Sequence, residues 1–364
     1  MKMTEKSRQH VDSCRFCWMC HHVCPIGNAT GQERCTARAR ALGLSLVNRE
    51  VFDISDVAEN LYECATCSAC ENFCVTGWQP VMFTKEARRI AATEGKLPEY
   101  ILPLVQNALE KGNAYGKDDF CDCLKKEIAN HTAKKDTLLL LGVDAIYMAT
   151  KSAVDAVKAV EKTGVEFTLL EKEMPTGSQL DFLIGAAAET QAQMKAAAEV
   201  LNTFKTVIVY NPADAKTLRH EYNDYGIELT CEIKTFTQFL CECVKNGSLK
   251  VENTGKAVVY HDPFELSRGL SETEEAREVI SNCANLSEML LNRRDTNWAG
   301  NILMAQYMPD VMKRTAEERI RNAKCVGANA MVTASVSEYA VLKENCPEDF
   351  EIISIEQLVL SAAK

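Results

Sequence analysis

The stretch CRFCWMCHHVCP, residues 14–25, determines how this chain is organised. Its four cysteines have the spacing C-x2-C-x2-C-x3-C, and the same spacing returns fifty residues later in CATCSACENFC, residues 64–74. The eight cysteines of the two runs are Cys14, Cys17, Cys20, Cys24, Cys64, Cys67, Cys70 and Cys74. Two runs with identical spacing indicate an internal repeat of a ligand motif.

The spacing favours [4Fe–4S] clusters. A zinc site expects two CxxC pairs divided by a spacer, whereas each run here has three cysteines in succession. Structural zinc or free thiols remain the alternative. In two-cluster proteins the fourth cysteine of each run ligates the cluster of the other run. We therefore expect two [4Fe–4S] clusters, one held by Cys14, Cys17, Cys20 and Cys74, the other by Cys64, Cys67, Cys70 and Cys24.

Composition narrows the class of protein. The chain has 364 residues, a formal net charge of −10 and 17 cysteines. The negative charge argues against a nucleic-acid partner, because phosphate binding depends on Lys and Arg. We see no apolar run of about 18 residues and no signal peptide, so no transmembrane segment is expected. Many cysteines without an export signal are typical of the reducing cytoplasm, where thiols bind metals or stay free.

Helices are predicted between the two cysteine runs. Thr30–Glu33 reads as a capping box that opens a helix, and a second start is expected at Asp53. The second helix would place Ile54, Val57 and Leu61 on one face. Arg34 and Arg38 are expected on one face of the first helix, either offsetting the charge of a cluster or simply solvated.

Downstream of residue 116, strand and helix patterns alternate. The apolar run DTLLLLGVDAIYM (136–148) predicts a buried strand and a turn. Further strands, with helices between them, are predicted at VEFTLL (165–170), TVIVY (206–210), KAVVY (256–260) and NAMVTAS (329–335). This alternation is typical of parallel βαβ units. The predicted fold is therefore multidomain, with an all-α helical ferredoxin-like two-cluster domain followed by two α/β repeats with parallel sheets.

With these residues in view, the chain resembles a known family. Its amino-terminal third is similar to the helical two-cluster ferredoxin domain of the iron–sulfur subunits of glycolate, lactate and glycerol-3-phosphate dehydrogenases, of heterodisulfide reductases and of succinate dehydrogenase. Gly112–Gly116 resembles the Gly-Asn-Pro-x-Gly link of that family. The chain departs from the family at Val75, which stands where a second proline would follow Cys74. The resemblance implies three units, residues 1–116, 117–252 and 253–364, the last two being repeats with a Cys-Cys-Gly signature.

The cysteines that the family places in these repeats are missing. No Cys-Cys dipeptide occurs in the chain. The positions that correspond to family cysteines, or lie near them, hold Val143, Met174, Pro175, Thr176, Asn211, Asp214, Phe264, Asn297, Trp298, Ser335 and Glu338. Since iron–sulfur sites depend on thiolates, we expect no cluster in the repeats.

Other residues allow a structural and a functional interpretation. The His261-Asp262-Pro263 stretch, with Arg268 after it, allows two interpretations. Structurally, the stretch is a turn that begins the next crossover, and this is the simpler explanation. Functionally, its side chains hold a small anion or face a partner's flavin. His21 and His22 either tune a cluster or are exposed, and Trp18 and Trp78 are expected to shield a cluster from water.

The remaining cysteines give a weak case for a further metal site. They include two C-x-C pairs, Cys121/Cys123 and Cys241/Cys243, and a C-x-C pair on a helix points its side chains apart.

These features predict a non-catalytic electron-transfer subunit. The resemblance implies a partner, an FAD-containing dehydrogenase subunit, with further electron-transfer proteins downstream. No catalytic residue is assigned, and no flavin or nicotinamide is expected on this chain, because it lacks a Gly-rich phosphate loop. Two alternatives stay open: a heterodisulfide-reductase-like enzyme with a rebuilt site between the repeats, and a redox-sensing scaffold.

Overall fold

Helices build the first part of the chain. The structure, a computed structural model, describes residues 2–364. Between residues 2 and 130 the described chain has helices and no strand. The helices are α1 (Glu5–Asp12), α2 (Met19–Val23), α3 (Pro25–Thr30), α4 (Ala37–Asn48), α5 (Ala58–Tyr62), α6 (Ala69–Asn72), α7 (Pro80–Thr93), α8 (Leu102–Glu110) and α9 (Asp122–Asn130).

The two predicted helix starts have different outcomes. The capping box at Thr30 is wrong, because Thr30 ends α3 and Gly31 closes it with φ +68°. The chain then makes a 3₁₀ turn, Glu33–Cys35, before α4 begins. The start at Asp53 is confirmed, since its carboxylate accepts from the Ser55 N–H and its own N–H donates to Asp56. The expected apolar face, Ile54, Val57 and Leu61, is buried.

The next segment forms a three-stranded parallel sheet in the order β1-β2-β3. Leu139 lies opposite Ile208, and Ile208 lies opposite Lys234. Its elements are β1 (Thr137–Leu140), α10 (Val143–Met148), α11 (Thr150–Glu161), α12 (Ser178–Ile184), α13 (Ala188–Leu201), β2 (Thr206–Val209), α14 (Pro212–Lys216), α15 (Tyr222–Asp224), β3 (Glu232–Thr235) and α16 (Phe236–Asn246).

The last segment forms a four-stranded parallel sheet in the order β5-β4-β6-β7. Val259 pairs with Met331, and Met331 pairs with Ile352. Its elements are β4 (Ala257–His261), α17 (Glu275–Cys283), β5 (Asn285–Ser287), α18 (Ile302–Ala305), α19 (Pro309–Cys325), β6 (Ala330–Thr333), α20 (Val336–Glu344), β7 (Glu351–Ser354) and α21 (Ile355–Ala362). The parallel sheets and many helices agree with the α/β architecture expected from the sequence.

One of the predicted strands needs correction. In DTLLLLGVDAIYM the strand covers residues 137–140, Gly142 turns the chain with φ +88° as predicted, and the remainder forms α10. The segment VEFTLL is not a strand. Its backbone hydrogen-bonds to β1 only at Thr168, which forms a single parallel bridge with Leu138. This pairing is too short to form a strand.

A shared apolar core joins the three segments. Leu139 of the first sheet and Val258 of the second lie in one buried cluster, and α21 packs against both α11 and α17. Leu183 of α12 packs into a second cluster with Leu61 and other side chains of the amino-terminal helices. Each fully buried leucine contributes about 2 kcal/mol relative to an exposed one. The helical part and the two sheet-containing segments therefore stabilise each other.

Among the helices formed by residues 2–364, none has both the length and the apolar character needed to cross a membrane.

Candidate metal centres

The two cysteine runs have the same backbone conformation. In the first, Phe16 and Trp18 have positive φ values of 56° and 68°, and in the second, Thr66 and Ser68 have values of 52° and 57°. The residues stand at equivalent places, two and four positions after the first cysteine. A non-glycine residue in this region costs about 1–2 kcal/mol, so two matched pairs indicate a backbone held in a specific shape.

The structure groups Cys24 with the second run rather than with its own. Burial, together with the neighbouring Cys67 and Cys64, raises the pKa of Cys24 to about 12, although the Gly27 N–H and Arg40 partly oppose the shift. Burial also raises the pKa of Cys70, with smaller contributions from Cys64, Cys67 and Cys24. Four thiols from two distant parts of the chain thus lie close enough to influence one another.

The other four cysteines line one cavity of about 50 Å³ beside α2. Cys14, Cys17 and Cys20 come from the first run and Cys74 from the end of the second. Cys70 also lines this cavity, so it lies between the two groups. Cys17 is exposed, whereas Cys67 in the other group is buried. One group is therefore at the surface and the other lies deeper, next to the repeats.

Backbone N–H groups point at the sulfurs. Three sulfurs each accept a backbone N–H at 3.4 Å: Cys14 Sγ from Phe16, Cys64 Sγ from Thr66 and Cys24 Sγ from Gly27. Among residues 2–364 no three His, Cys, Asp or Glu side chains converge as a single metal ion requires. A [4Fe–4S] cube spreads its four cysteines over four irons, so its ligands need not converge on one point. The donor set and the N–H groups that would stabilise thiolates both fit such a cube.

Two buried arginines hold the second run in place. The Arg88 guanidinium donates to the Cys64 carbonyl oxygen at 2.6 Å, and Arg268 donates to the Cys67 carbonyl oxygen at 2.7 Å. Arg268 also donates to the Thr296 carbonyl oxygen at 2.7 Å. Arg268 was a candidate from the sequence because it follows the His-Asp-Pro motif. No sequence signal distinguished Arg88 from the other basic residues of α7.

The aromatic and basic residues near the runs have mixed roles. Trp78 is buried and donates its indole N–H to the His10 carbonyl oxygen at 2.6 Å. Trp18 is 44% exposed, and the Arg38 guanidinium lies 3.8 Å from its ring centre. Both tryptophans line the first cavity.

The basic side chains do not share a helix face as expected. Arg34 lies in the 3₁₀ turn before α4 and pairs with Glu63, while Arg38 pairs with Glu33. The rings of His21 and His22 pack edge to face, 5.4 Å apart.

In the first α/β segment, polar side chains stand at or near positions where the resemblance implied cysteines. The Asp214 carboxylate accepts from the hydroxyls of Thr176 and Ser178. Asn211 caps α14 and donates to Asp144 at 3.5 Å. Val143 is buried at the start of α10. The repeat is therefore held together here by hydrogen bonds between neutral and acidic groups.

In the second α/β segment, a buried network includes His261, Arg319 and Glu338. Arg319 donates from Nε to His261 Nδ1 at 2.8 Å, so the His261 Nε2–H donates to Glu338. Burial and the Arg319 charge lower the pKa of His261, which keeps the ring neutral. Asp262 instead pairs with Arg277 through both carboxylate oxygens, at 2.6 and 2.9 Å. These bonds support the structural interpretation of the His-Asp-Pro turn.

The remaining cysteines are dispersed. Cys121 is the N-cap of α9, Cys123 lies in the first turn of that helix, and the two form a disulfide. Cys241 and Cys243 are buried in α16.

Comparisons with known proteins relate the chain to iron–sulfur proteins at low identity. No protein-family model matches it. An uncharacterized iron–sulfur protein of Methanocaldococcus jannaschii is 22% identical over 341 residues, which cover 91% of this chain and 67% of the relative. One of Methanococcus maripaludis is 20% identical over 335 residues, covering 90% and 66%. The chain thus spans about two thirds of the length of these relatives.

Two further similarities are informative. A probable membrane-anchored ferredoxin of Chromohalobacter salexigens is 24% identical over 248 residues, covering 65% of this chain and 37% of that protein. The crystal structure of a hypothetical protein from Helicobacter pylori has the same fold, with a TM-score of 0.50 and 11% identity, over 99% of this chain and 73% of the other.

Proposed function

We propose that this chain is an iron–sulfur electron-transfer subunit that relays electrons between a partner flavoprotein and another redox carrier. The grouping of the cysteines carries the proposal. Cys24 lies with Cys64, Cys67 and Cys70, while Cys14, Cys17, Cys20 and Cys74 line one cavity. Each group supplies the four thiolates that one [4Fe–4S] cluster takes. The low-identity relatives named as iron–sulfur proteins support an iron–sulfur cofactor.

The positions of the two groups suit a relay. The first lies near the surface, beside exposed side chains such as Phe16 and Val75, so a partner can approach it there. The second lies inside, next to the repeats. Clusters bound there would supply one-electron steps, and the chain's own residues would bind them, exclude water and fix the distance between them. The partner we expect is an FAD-containing dehydrogenase subunit.

Metal analysis of single-cysteine variants tests the ligand assignment. The anaerobically purified chain should hold about eight irons and eight sulfides, the content of two cubes. Cys24→Ser should lower the iron content to about four. Cys35→Ser is the matched control, since Cys35 is buried and its carbonyl oxygen lies 3.6 Å from Cys24 Sγ. It should keep about eight irons.

Equal iron loss in the two variants would contradict the assignment. A content near twelve or sixteen irons would show that the repeats also bind clusters. Electron paramagnetic resonance of the reduced protein checks the cluster type. The partner is tested by purifying the native complex. A companion flavoprotein that reduces the clusters is expected, and the relay is wrong if no flavoprotein does so.

A further inference from the structure

A cavity of about 230 Å³ lies between the helical part and the last α/β segment. Its walls are α3, the loop that contains Asn297 and Trp298, and one side of α19. Pro25, the residue after Cys24, belongs to the α3 wall, and α19 packs against α3. At about 30 Å³ per water, the cavity has room for a small polyatomic ion and a few waters.

One residue of this wall, Arg319, is a buried guanidinium without an ion pair. Its side chain is fully buried. Its Nε donates to His261 Nδ1 at 2.8 Å, and its Nη2 donates to the Leu291 carbonyl oxygen at 2.9 Å and to Thr296 Oγ1 at 3.3 Å. All three acceptors are neutral, and residues 2–364 place no carboxylate in an ion pair with it. Since buried charges are usually paired, Arg319 lacks a counterion.

The charged groups inside the last segment do not supply that counterion. Asp262 and Glu338 favour the charged form of Arg319, whereas burial and Arg268 oppose it and lower its pKa to about 10. Asp262 is already bonded through both oxygens to Arg277. Burial raises the pKa of Glu338, which favours its neutral form. Arg319 therefore stays protonated at neutral pH with its charge only partly compensated.

Two N–H donors of the cavity wall also lack an acceptor. Within residues 2–364, Arg319 Nη1 and Trp298 Nε1 are buried and make no hydrogen bond. Trp298 is only 1% exposed. Among the described residues that line the cavity, no side-chain oxygen is both buried and unpartnered. Unpaired buried groups in a folded protein indicate a water or an ion, and these two require an acceptor.

The exposed part of the wall adds charges of both signs. Arg321 pairs with Glu318, so these two charges offset each other. Arg314 donates to a carbonyl oxygen of α3 at 3.3 Å and retains further N–H groups. Glu317 is exposed and would repel an anion, but water and salt screen an exposed charge more than a buried one. With three arginines and two glutamates, the lining has a net charge of +1.

We propose that this cavity binds a small tetrahedral oxyanion of the phosphate or sulfate type. A planar carboxylate takes two parallel bonds from a guanidinium, but Arg319 already uses Nε and Nη2 and has only Nη1 free. A tetrahedral anion has oxygens in several directions, which suits single donors from Arg319 and Trp298 together with Arg314. This site goes beyond the electron relay and does not depend on it.

Calorimetric titration of the full-length, anaerobically purified protein at constant ionic strength tests the proposal. The probes are phosphate and sulfate, with acetate as a planar control and chloride as a control for charge alone. The oxyanions should bind saturably, about tenfold or more tightly than either control, because a charge-assisted bond contributes at least that factor. Binding of only one oxyanion also supports the site and identifies its source. Absence of saturable binding, or equal binding of all four ions, would overturn the proposal.

Variants locate the site. Trp298→Phe keeps an aromatic ring in the core and removes one donor, so it should weaken oxyanion binding about tenfold. Arg314→Met removes an exposed charge and should weaken binding about threefold. Lys313→Met is the control, because Lys313 is an exposed cation of the same helix that does not line the cavity. If Trp298→Phe and Arg314→Met both bind the oxyanion as Lys313→Met does, the anion binds elsewhere and the assignment fails.

Iron content separates this site from the relay. Trp298→Phe and Arg314→Met replace no proposed cluster ligand, so both should keep about eight irons while their oxyanion binding weakens. Oxyanion binding in a protein without two clusters would contradict the relay alone. Two clusters without oxyanion binding would contradict the cavity assignment alone.

Discussion

At the scale of single residues, buried carboxyl groups make the fold sensitive to pH. Glu356, in the first turn of α21, is fully buried and accepts from the Tyr210 hydroxyl at 2.8 Å, which joins the two repeats. Burial raises its pKa to about 7, although hydrogen bonds from Ser354, from its own backbone N–H and from Tyr210 partly oppose the shift. The folded protein therefore keeps a proton that the unfolded chain releases near its ordinary value of 4.5.

This proton makes stability fall as pH rises. The folded state binds more protons than the unfolded state between about pH 4.5 and 7, so its stability declines across that window and levels off above it. From about pH 6 to about pH 8.5, the wild type should lose about 1 kcal/mol more unfolding free energy than Glu356→Gln, which keeps the acceptor for Tyr210. Urea unfolding at several pH values measures this, and parallel pH profiles would contradict it.

At the scale of elements, the turn from β1 into α10 depends on a glycine. Gly142 has φ +88°, and a Cβ there would overlap Asp214 Oδ2 and lie 2.9 Å from Asn211 Cβ. The turn directs the Leu141 and Gly142 N–H groups at the Glu173 carboxylate, with N–O distances of 2.8 and 2.6 Å. Gly142 therefore links β1 to α10 and lies against Asn211 and Asp214.

Gly142→Ala should therefore be much more harmful than an ordinary glycine substitution. We expect a loss of about 3 kcal/mol, since backbone strain and overpacking add. Gly164→Ala is the control: Gly164 also has positive φ, +72°, but its added Cβ would meet open space. It should lose about 1 kcal/mol. Denaturant midpoints compare the two, and equal losses would show that contact with Asp214 does not matter.

At the scale of the whole molecule, Arg88 joins the helical part to the first repeat. It is fully buried in α7 and donates to the carbonyl oxygens of Leu61, Cys64 and Phe182, at 2.8, 2.6 and 2.6 Å. Its guanidinium lies 4.9 Å from the ring centre of Tyr62 and 4.4 Å from that of Phe182. Arg88 thus connects the second cysteine run and α5 to α12.

Replacing this arginine should weaken the entire assembly. Arg88→Met leaves three buried carbonyl groups without a donor, and we expect a loss of about 3 kcal/mol or more in unfolding free energy. Arg49→Met is the control, because Arg49 is exposed and pairs with Asp12 at 3.8 Å, so its loss should stay within about 0.5 kcal/mol. If both variants unfold at the same denaturant concentration, the two parts are not coupled through Arg88.

The spacing of the cysteines and the strand patterns were sufficient to predict two ligand runs and parallel sheets. Both signals are local, since spacing and apolar periodicity can be read within a few residues. Local sequence signals gave wrong predictions of a helix start at Thr30 and of a strand at residues 165–170, where tertiary contacts decided the backbone conformation.

Only the tertiary structure decided which distant groups meet. It placed Cys24 beside Cys64, Cys67 and Cys70 and fixed that run with Arg88 and Arg268. The sequence by itself determined the number and spacing of the cysteines in the two runs and the absence of any Cys-Cys dipeptide. The packing of three segments around shared cores decided where those groups lie, because contacts between distant residues leave no trace in local spacing.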